Sequence, residues 1–345
     1  MPETELPSET EVTRTWGRHQ CCKVSIICTT FNHEKYISTA LDGFLSQRTN
    51  FPFEIIVHDD ASADGTRSIV AAYAKRYPRL VKPIFQTENQ YSKGGFKPAF
   101  FAMKLATGSF FAICEGDDYW IDRNKLQMQI DALETHPGQD FCCHSALRSF
   151  NELCQSEPDW SYGQRTIFTV RDILRCPTGT FAPTSSYILR KSILDQIPDW
   201  FYEKAPVGDF FMEMYGARRG GALYINRPMS VYRAFTESSW HVTTYGNQQR
   251  FNKHVRGMME ALTLMEPDFG GEADSFRWKR AWLTTFYAQN YLLTGNHQAF
   301  SKAIERSVES YRYISTKQWV FFRLRKAPYM ARAILLLKRR KHRRN

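Results

Sequence analysis

Ser109-Phe-Phe-Ala-Ile-Cys-Glu-Gly-Asp-Asp-Tyr-Trp-Ile-Asp122 opens as a short apolar run and closes as an acidic turn. The run ends at Cys114 and predicts a strand buried on both faces. Glu115 and Gly116 then allow a tight turn, and Asp117 and Asp118 stand side by side where the strand runs out. Carboxylates at the carboxyl end of a parallel strand are poised to hold a hard divalent cation through oxygen, and through it a diphosphate. Taken alone, the pair serves equally as a solvated turn capping a helix from about Asp122. Its neighbours shift the balance.

Upstream, Val24–Thr30 is a β-branched run that predicts a buried strand. Asn32 is placed to cap a helix carrying Tyr36, Ile37, Leu41, Phe44 and Leu45 at helical spacing. Phe53–Val57 predicts a second strand, ending in His58-Asp59-Asp60, and Asp64-Gly65 introduces a helix over Thr66–Tyr77 closed by Pro78. Val81–Phe85, a helix from Pro98 to Ala106, the acidic strand, a helix to Thr135 and a strand around Phe141 continue the alternation. Four strand-helix repeats in about 120 residues predict an α/β fold, a doubly wound, mainly parallel sheet. Right-handed crossovers gather the strand-end loops on one edge, so Asp60, Asp117 and Asp118 would share a crevice. Gly-x-Gly-x-x-Gly and Walker-type loops are both missing, which argues against dinucleotide oxidoreductases and P-loop enzymes.

After Ser149 the alternation fails. An irregular segment with a short helix near Val170–Arg175 is followed by a strand at Ser185–Leu189 and a helix at Lys191–Ile197. Val207-Gly208-Asp209 opens an aromatic and Met-rich helix, Phe210–Ala217, and Ala222–Ile225 and Ser230–Tyr232 predict short strands. The remainder is helical, over about 247–265, 275–293 and 297–313, with Gly and Pro in the gaps.

The 345 residues suffice for one large α/β domain and an appendage. Residues 1–20 are acidic and polar, read as a flexible leader and not as a secretory signal. The eight cysteines include no Cys-x-x-Cys pair and are read as reduced thiols. The net charge of +11 is a local property: from Ser310 onward there are 12 Lys or Arg and no acid, leaving 34 basic against 35 acidic residues before it. No stretch approaches the roughly 18 apolar residues that would span a bilayer. The tail mixes Trp319, Phe322, Tyr329, Met330, Ala333, Leu336 and Leu337 with that positive charge, which suits an anionic membrane surface. A solvated tail and helices packed on the protein are the alternatives, and the lack of a recognition motif argues against nucleic acid.

Taken together, these motifs resemble the family-two nucleotide-sugar glycosyltransferases of the GT-A fold, from Val24 to about Trp240. Val24-Ser-Ile-Ile-Cys-Thr-Thr-Phe-Asn32 is similar to the family's first strand and nucleotide-contacting turn, and Ile55-Ile-Val-His-Asp-Asp-Ala-Ser-Ala-Asp-Gly-Thr66 to its second. Glu115-Gly-Asp-Asp-Tyr-Trp120 resembles the acidic metal motif, and Val207-Gly-Asp209 the motif carrying the catalytic aspartate. Pro228-Met-Ser-Val-Tyr-Arg233 is similar to the segment that follows, except that Phe235 stands where many relatives have His.

The resemblance implies a GT-A domain over 21–245, a nucleotide half (21–150) and an acceptor half (151–245); the residues beyond it read as a helical region (246–315) and the basic amphipathic tail (316–345). Asp209 is the implied general base of an inverting displacement. Asp118, with Asp117 beside it, is the implied ligand of Mg or Mn, and Asp117 is also a candidate for the ribose. Asp60 would accept from uracil or a comparable imide, with Thr29 and Phe31 lining the same pocket. The plainer alternatives are core for Phe31, a turn former for Asp60 and a helix cap for Asp209; Asp59 reads as loop support and Asp64 as a helix cap. Trp240, Arg233 and His241 are candidate acceptor or phosphate contacts, as is Lys93. The expected reaction moves a sugar from a nucleoside diphosphate, UDP-sugar favoured, to a hydroxyl of a glycan or lipid-linked glycan. The expected setting is a bacterial cytoplasm, peripheral on the inner face of the cell membrane, in capsule or lipopolysaccharide synthesis. A sugar-1-phosphate nucleotidyltransferase lacks its glycine-rich loop here, and a non-catalytic membrane- or polyanion-binding protein would not need Asp118 and Asp209.

Overall fold

The computed structural model of the chain describes residues 6–17, 21–94, 97–150, 153–154, 158–234 and 240–342, without the side chains of 153–154, 240–241 and 338–342. It divides into two compact units: Met1–Ile173 with Thr178–Thr243, and Leu174–Pro177 with Thr244–Asn345.

Part of the stretch read as a flexible leader is folded. Ser8 and Glu11 form a reciprocal capping box at the start of helix α1 (Glu9–Thr13). Val12 and Trp16 are buried, and the Trp16 indole donates to Thr49 Oγ1 at 3.0 Å. The Glu9 carboxylate takes the backbone N–H groups of Arg79 and Leu80 at 2.7 and 3.2 Å. The Ser8-x-x-Glu11 spacing was the cue in the sequence.

The alternation then runs β1 (Val24–Thr30), α2 (Ile37–Leu45), β2 (Phe53–Asp59), α3 (Thr66–Arg76), β3 (Val81–Phe85), α4 (Pro98–Leu105), β4 (Phe110–Ile113). Strands β1, β2 and β4 are apolar because helices cover both faces of a parallel sheet; on one face Ile37, Leu41, Phe44 and Leu45 of α2 join their core. Asn32 does not cap α2: its backbone turns left-handed (φ 55°) and its Oδ1 accepts from Ala63 N at 2.8 Å.

After the acidic turn, Tyr119–Trp120 is strand β5, and the helix expected from about Asp122 begins only at Lys125, as α5 (Lys125–Thr135). There follow β6 (Phe141–His144), β7 (Leu147–Phe150), β8 (Leu153–Cys154), β9 (Ile167–Phe168), α6 (Val170–Leu174), β10 (Ile188–Arg190), α7 (Asp199–Lys204), α8 (Asp209–Ala217), β11 (Ala222–Ile225) and β12 (Ser230–Arg233). The large sheet has the order β3-β2-β1-β4-β10-β6-β11-β9, parallel except where β10 sits antiparallel between β4 and β6 and β9 pairs antiparallel with β11. A small sheet, β5-β12-β7-β8, pairs Ser230 with Trp120 and Val231 with Tyr119.

The second unit is helical, with α9 (Trp240–Tyr245) running into it and α10 (Gln248–Met265), α11 (Ala273–Leu293), α12 (His297–Ser310), α13 (Thr316–Arg323) and α14 (Pro328–His342) within it. The tail packs against this unit on one side: Phe321 meets Phe300 at 5.5 Å between ring centres, and Ala331 and Leu335 are buried. No described helix is long and apolar enough to cross a membrane. None of the cysteines with described side chains is in a disulfide.

Glu54 is a buried charge that ties β1, β2 and β3 together. Its Oε1 accepts from Ser25 Oγ (2.6 Å), Thr107 N (2.7 Å) and Thr107 Oγ1 (2.8 Å), and Lys82 pairs with Oε2. Burial pushes this carboxyl up, but the hydrogen bonds, led by Lys82, outweigh it and hold it at about 2. The stabilisation is therefore complete above an unfolded-state pKa near 4.5 and is lost as pH falls toward 2. Glu54→Gln should cost about 2 kcal/mol at pH 7 and flatten the loss of stability between those values, read by urea unfolding across pH.

Candidate functional site

The loops at the carboxyl ends of β1, β2 and β4 are stitched to one another. Asp60 N donates to Thr30 O at 3.0 Å, and Gly116 N to Thr29 O at 2.9 Å. Asn32 N donates to Ser62 Oγ (2.9 Å), His33 N to Thr66 Oγ1 (2.8 Å) and Glu34 N to Asp64 Oδ2 (3.0 Å). Asp64 also caps the start of α3 through Thr66 N at 3.0 Å, and Asp59 holds Ser62. Both are loop-building acids.

Thr29 and Asp60 therefore lie on the same edge as the acidic turn. Phe31 is 37% exposed there, so it is not core. Asp60 is buried and its two oxygens accept from Gln90 N (2.9 Å) and Tyr91 N (3.0 Å), so its carboxylate shapes the loop after β3. Each oxygen retains a second lone pair. Lys93 is ion-paired with Glu88.

The acidic turn is held from the small sheet. Arg233 N donates to Asp118 Oδ1 at 2.8 Å, and its guanidinium donates to Asp117 O at 2.6 Å while lying over the rings of Tyr119 (4.4 Å) and Tyr36 (5.0 Å). Asp118 is 2% exposed, and burial, then the charges of Asp117 and Glu115, push its carboxyl well above the usual range. Asp117 Oδ2 lies 3.9 Å from His33 Nε2. Glu115 receives Thr184 Oγ1 at 2.6 Å and is pushed up to about 7, by burial first, with the charges of Asp117 and Asp209 adding to it.

That last contribution brings Asp209 into the same electrostatic neighbourhood. Asp209 is the first residue of α8, with Gly208 before it, and its Oδ1 accepts its neighbour Phe210 N at 2.7 Å. The structure thus gathers Thr29, Phe31, Asp60, Asp117, Asp118, Arg233 and Asp209 on one side of the larger unit. The side chains of Trp240 and His241, like Phe235, lie outside the described residues. Sequence reasoning gave Glu115 a part in the acidic turn but no site role, and passed over Thr184 and His33.

Among the described residues no three His, Cys, Asp or Glu side chains form a ready-made metal cage. The donor set still suits a hard cation. Asp117 and Asp118 offer oxygen only, and magnesium-type sites commonly take one or two carboxylates and complete their shell with phosphate and water.

Residues 25–197 match the profile of Glycosyl transferase family 2. The chain belongs to that family. Its members are glycosyltransferase enzymes, as the sequence motifs led one to expect. An uncharacterized Mycobacterium tuberculosis protein is 34% identical over 242 residues, 70% of this chain and 66% of its own. This chain therefore spans just under two thirds of that relative. Over 110 residues, 32% of this chain and 40% of the other, it is 37% identical to Escherichia coli WfgD, a UDP-Glc:alpha-D-GlcNAc-diphosphoundecaprenol beta-1,3-glucosyltransferase. Staphylococcus aureus TarS in complex with UDP-GlcNAc superposes with a TM-score of 0.61 at 19% identity, covering 90% of this chain and 87% of that one. At that identity the likeness is one of fold, a GT-A-like α/β architecture with C-terminal helices.

Gly116 permits the close approach on which the site is built. A Cβ there would stand 2.9 Å from Ile37 Cδ1 and 3.0 Å from both His33 Nδ1 and Thr30 Oγ1. Gly116→Ala should destabilise the protein by about 1–3 kcal/mol, read by thermal unfolding.

Proposed function

We propose that this protein is an inverting glycosyltransferase that moves a sugar from a nucleoside diphosphate, a UDP-sugar foremost, to a hydroxyl of a glycan or lipid-linked glycan. The observation that carries the reading is that α8, which Asp209 opens, holds Phe181 N and Ala182 N through Glu213, and the same segment reaches Glu115 of the acidic turn through Thr184. A base and a leaving-group site within Coulomb reach are what a single in-line displacement needs. The names of WfgD and TarS, which speak of a lipid-diphosphate acceptor and a UDP-sugar complex, support the substrate class.

In this reading residues 21–150 hold the nucleotide and 151–245 the acceptor. Phe31 lies against the base, Thr29 lines the pocket and Asp60 uses its spare lone pairs for an imide N–H. Asp118 and Asp117 would hold a Mg or Mn ion, which supplies Lewis-acid neutralisation of the departing diphosphate. Asp209 takes the proton of the acceptor hydroxyl as the new glycosidic bond forms and the bond to diphosphate breaks. Arg233 keeps the acidic turn in place.

Asp209→Asn should lower kcat by about 10²–10⁴-fold and leave the donor KM within about twofold. Asp118→Ala should abolish cation-dependent UDP binding by calorimetry. Retained transfer by Asp209→Asn would remove the base. Pyrophosphate release from a nucleoside triphosphate and a sugar phosphate would instead mark a nucleotidyltransferase.

The tail supports a peripheral position on an anionic membrane, proposed as the cytoplasmic face. On α14, Met330, Ala333, Ile334 and Leu337 follow helical spacing and face away from the packed Ala331 and Leu335; Met330 is 59% and Leu337 64% exposed. Positive charge flanks the stripe, and each basic residue near an anionic surface adds about 1 kcal/mol. Replacing Met330, Ile334 and Leu337 together by Glu should lower flotation with phosphatidylglycerol vesicles at least tenfold while donor hydrolysis persists. Equal flotation would refute the attachment.

A further inference from the structure

We propose that Glu213 is a positioning residue: from within α8 it clamps the 181–187 segment and so fixes the separation between Asp209 and the Glu115–Asp118 turn. The inference rests on the reading of Asp209 as the base.

Glu213 lies one helical turn beyond Asp209, at the i, i+4 spacing that shares a helix face. It is fully buried among Phe210, Phe211, Met212, Met214 and Tyr215, all buried. Three donors converge on its carboxyl: Phe181 N on Oε2 at 2.8 Å, and Ala182 N at 2.8 Å and the Tyr187 hydroxyl at 2.6 Å on Oε1. Burial pushes this carboxyl up to about 8, and the charge of Asp209 adds to the shift.

The other side of the segment is fastened to the acidic strand and its surroundings. Thr184 Oγ1 donates to Glu115 Oε2 at 2.6 Å, Ile113 N to Tyr187 O at 3.1 Å, the Trp120 indole to Ser185 O at 2.9 Å, and Gln129 Nε2 to Ser186 O at 2.8 Å. A continuous hydrogen-bonded path thus joins the helix that presents Asp209 to the turn that presents Asp117 and Asp118. An apolar side chain of similar volume would fill the space under α8 without the desolvation cost of a carboxyl. What the carboxyl adds is direction. It fixes three donors, and with them the backbone that reaches Glu115.

Glu213→Gln keeps the volume but turns an N–H₂ toward a backbone N–H. We expect kcat to fall at least about tenfold with the donor KM within about twofold, because the base-binding side at β1 and β2 is untouched. Tyr187→Phe removes one of the three bonds without creating an unpaired donor on the ligand side, and should show the same split at about threefold; it carries the test if Glu213→Gln does not fold. In an Asp209→Asn background, Glu213→Gln should add no further loss, since its effect passes through Asp209. Unchanged kcat in a folded variant, kcat and KM moving together, or additive losses in the double variant would overturn the proposal. The base assignment fails separately, through Asp209→Asn alone retaining transfer.

Discussion

Glu115, Asp117 and Asp118 are three acids within four residues, and the fold must hold them together against their own repulsion. Burial makes this harder, because low dielectric strengthens each repulsive pair and raises the cost of every charge. The restraint comes from Arg233, whose backbone N–H takes Asp118 and whose guanidinium takes the backbone of Asp117. Arg233 can do this because β12 pairs with β5, which begins immediately after Asp118. The small sheet is thus less an appendage than the device that delivers a cation to the end of β4. Tyr36 and Tyr119 fix the guanidinium from their ring faces.

A second consequence follows from the crowding at that edge. With Gly116 against Ile37, His33 and Thr30, the turn has no room to swing toward β1. Its remaining freedom lies toward the 181–187 segment, and there Thr184 meets Glu115. The turn is held on both sides, by Arg233 and by Thr184, and neither contact consumes the Asp117 carboxylate. Preorganised acids of this kind need no rearrangement when a counter-charge arrives, which is the condition for electrostatic catalysis.

The patterns of the first 150 residues are strong because β1, β2 and β4 are continuous apolar runs buried on both faces, and the helices between them bury one face at a 3.6-residue period. Those elements were legible nearly to the residue, Val24–Thr30 and Val81–Phe85 among them. The segments 158–169 and 176–187 were not, because their order comes from contacts distant in sequence, such as Tyr162 stacking on Phe181 at 4.6 Å and donating to its carbonyl. Tyr119–Trp120 escaped for the same reason: a two-residue strand exists only where Ser230 and Val231 lie beside it. Asp60 shows the limit at the site. Its position was readable from the motif, whereas its two backbone donors at Gln90 and Tyr91 follow from a loop with no period at all. Glu213 was readable in part, as a single acid inside the apolar run Phe210-Phe-Met-Glu-Met-Tyr215, where an unexplained charge signals a buried partner.

The tail shows how far periodicity can separate two apolar functions on one helix. Ala331 and Leu335, four apart, face the helical unit and are buried. Met330, Ile334 and Leu337 lie on another face and remain exposed. A helix apolar on more than one face is stable in water only if a second surface covers it. Further acidic or polar residues would have solved that problem for a tail meant to stay solvated, yet from Ser310 onward no acid occurs. On the reading proposed above, the exclusion of Asp and Glu beside an exposed apolar stripe suits a surface that is itself anionic and apolar beneath, as a lipid bilayer is.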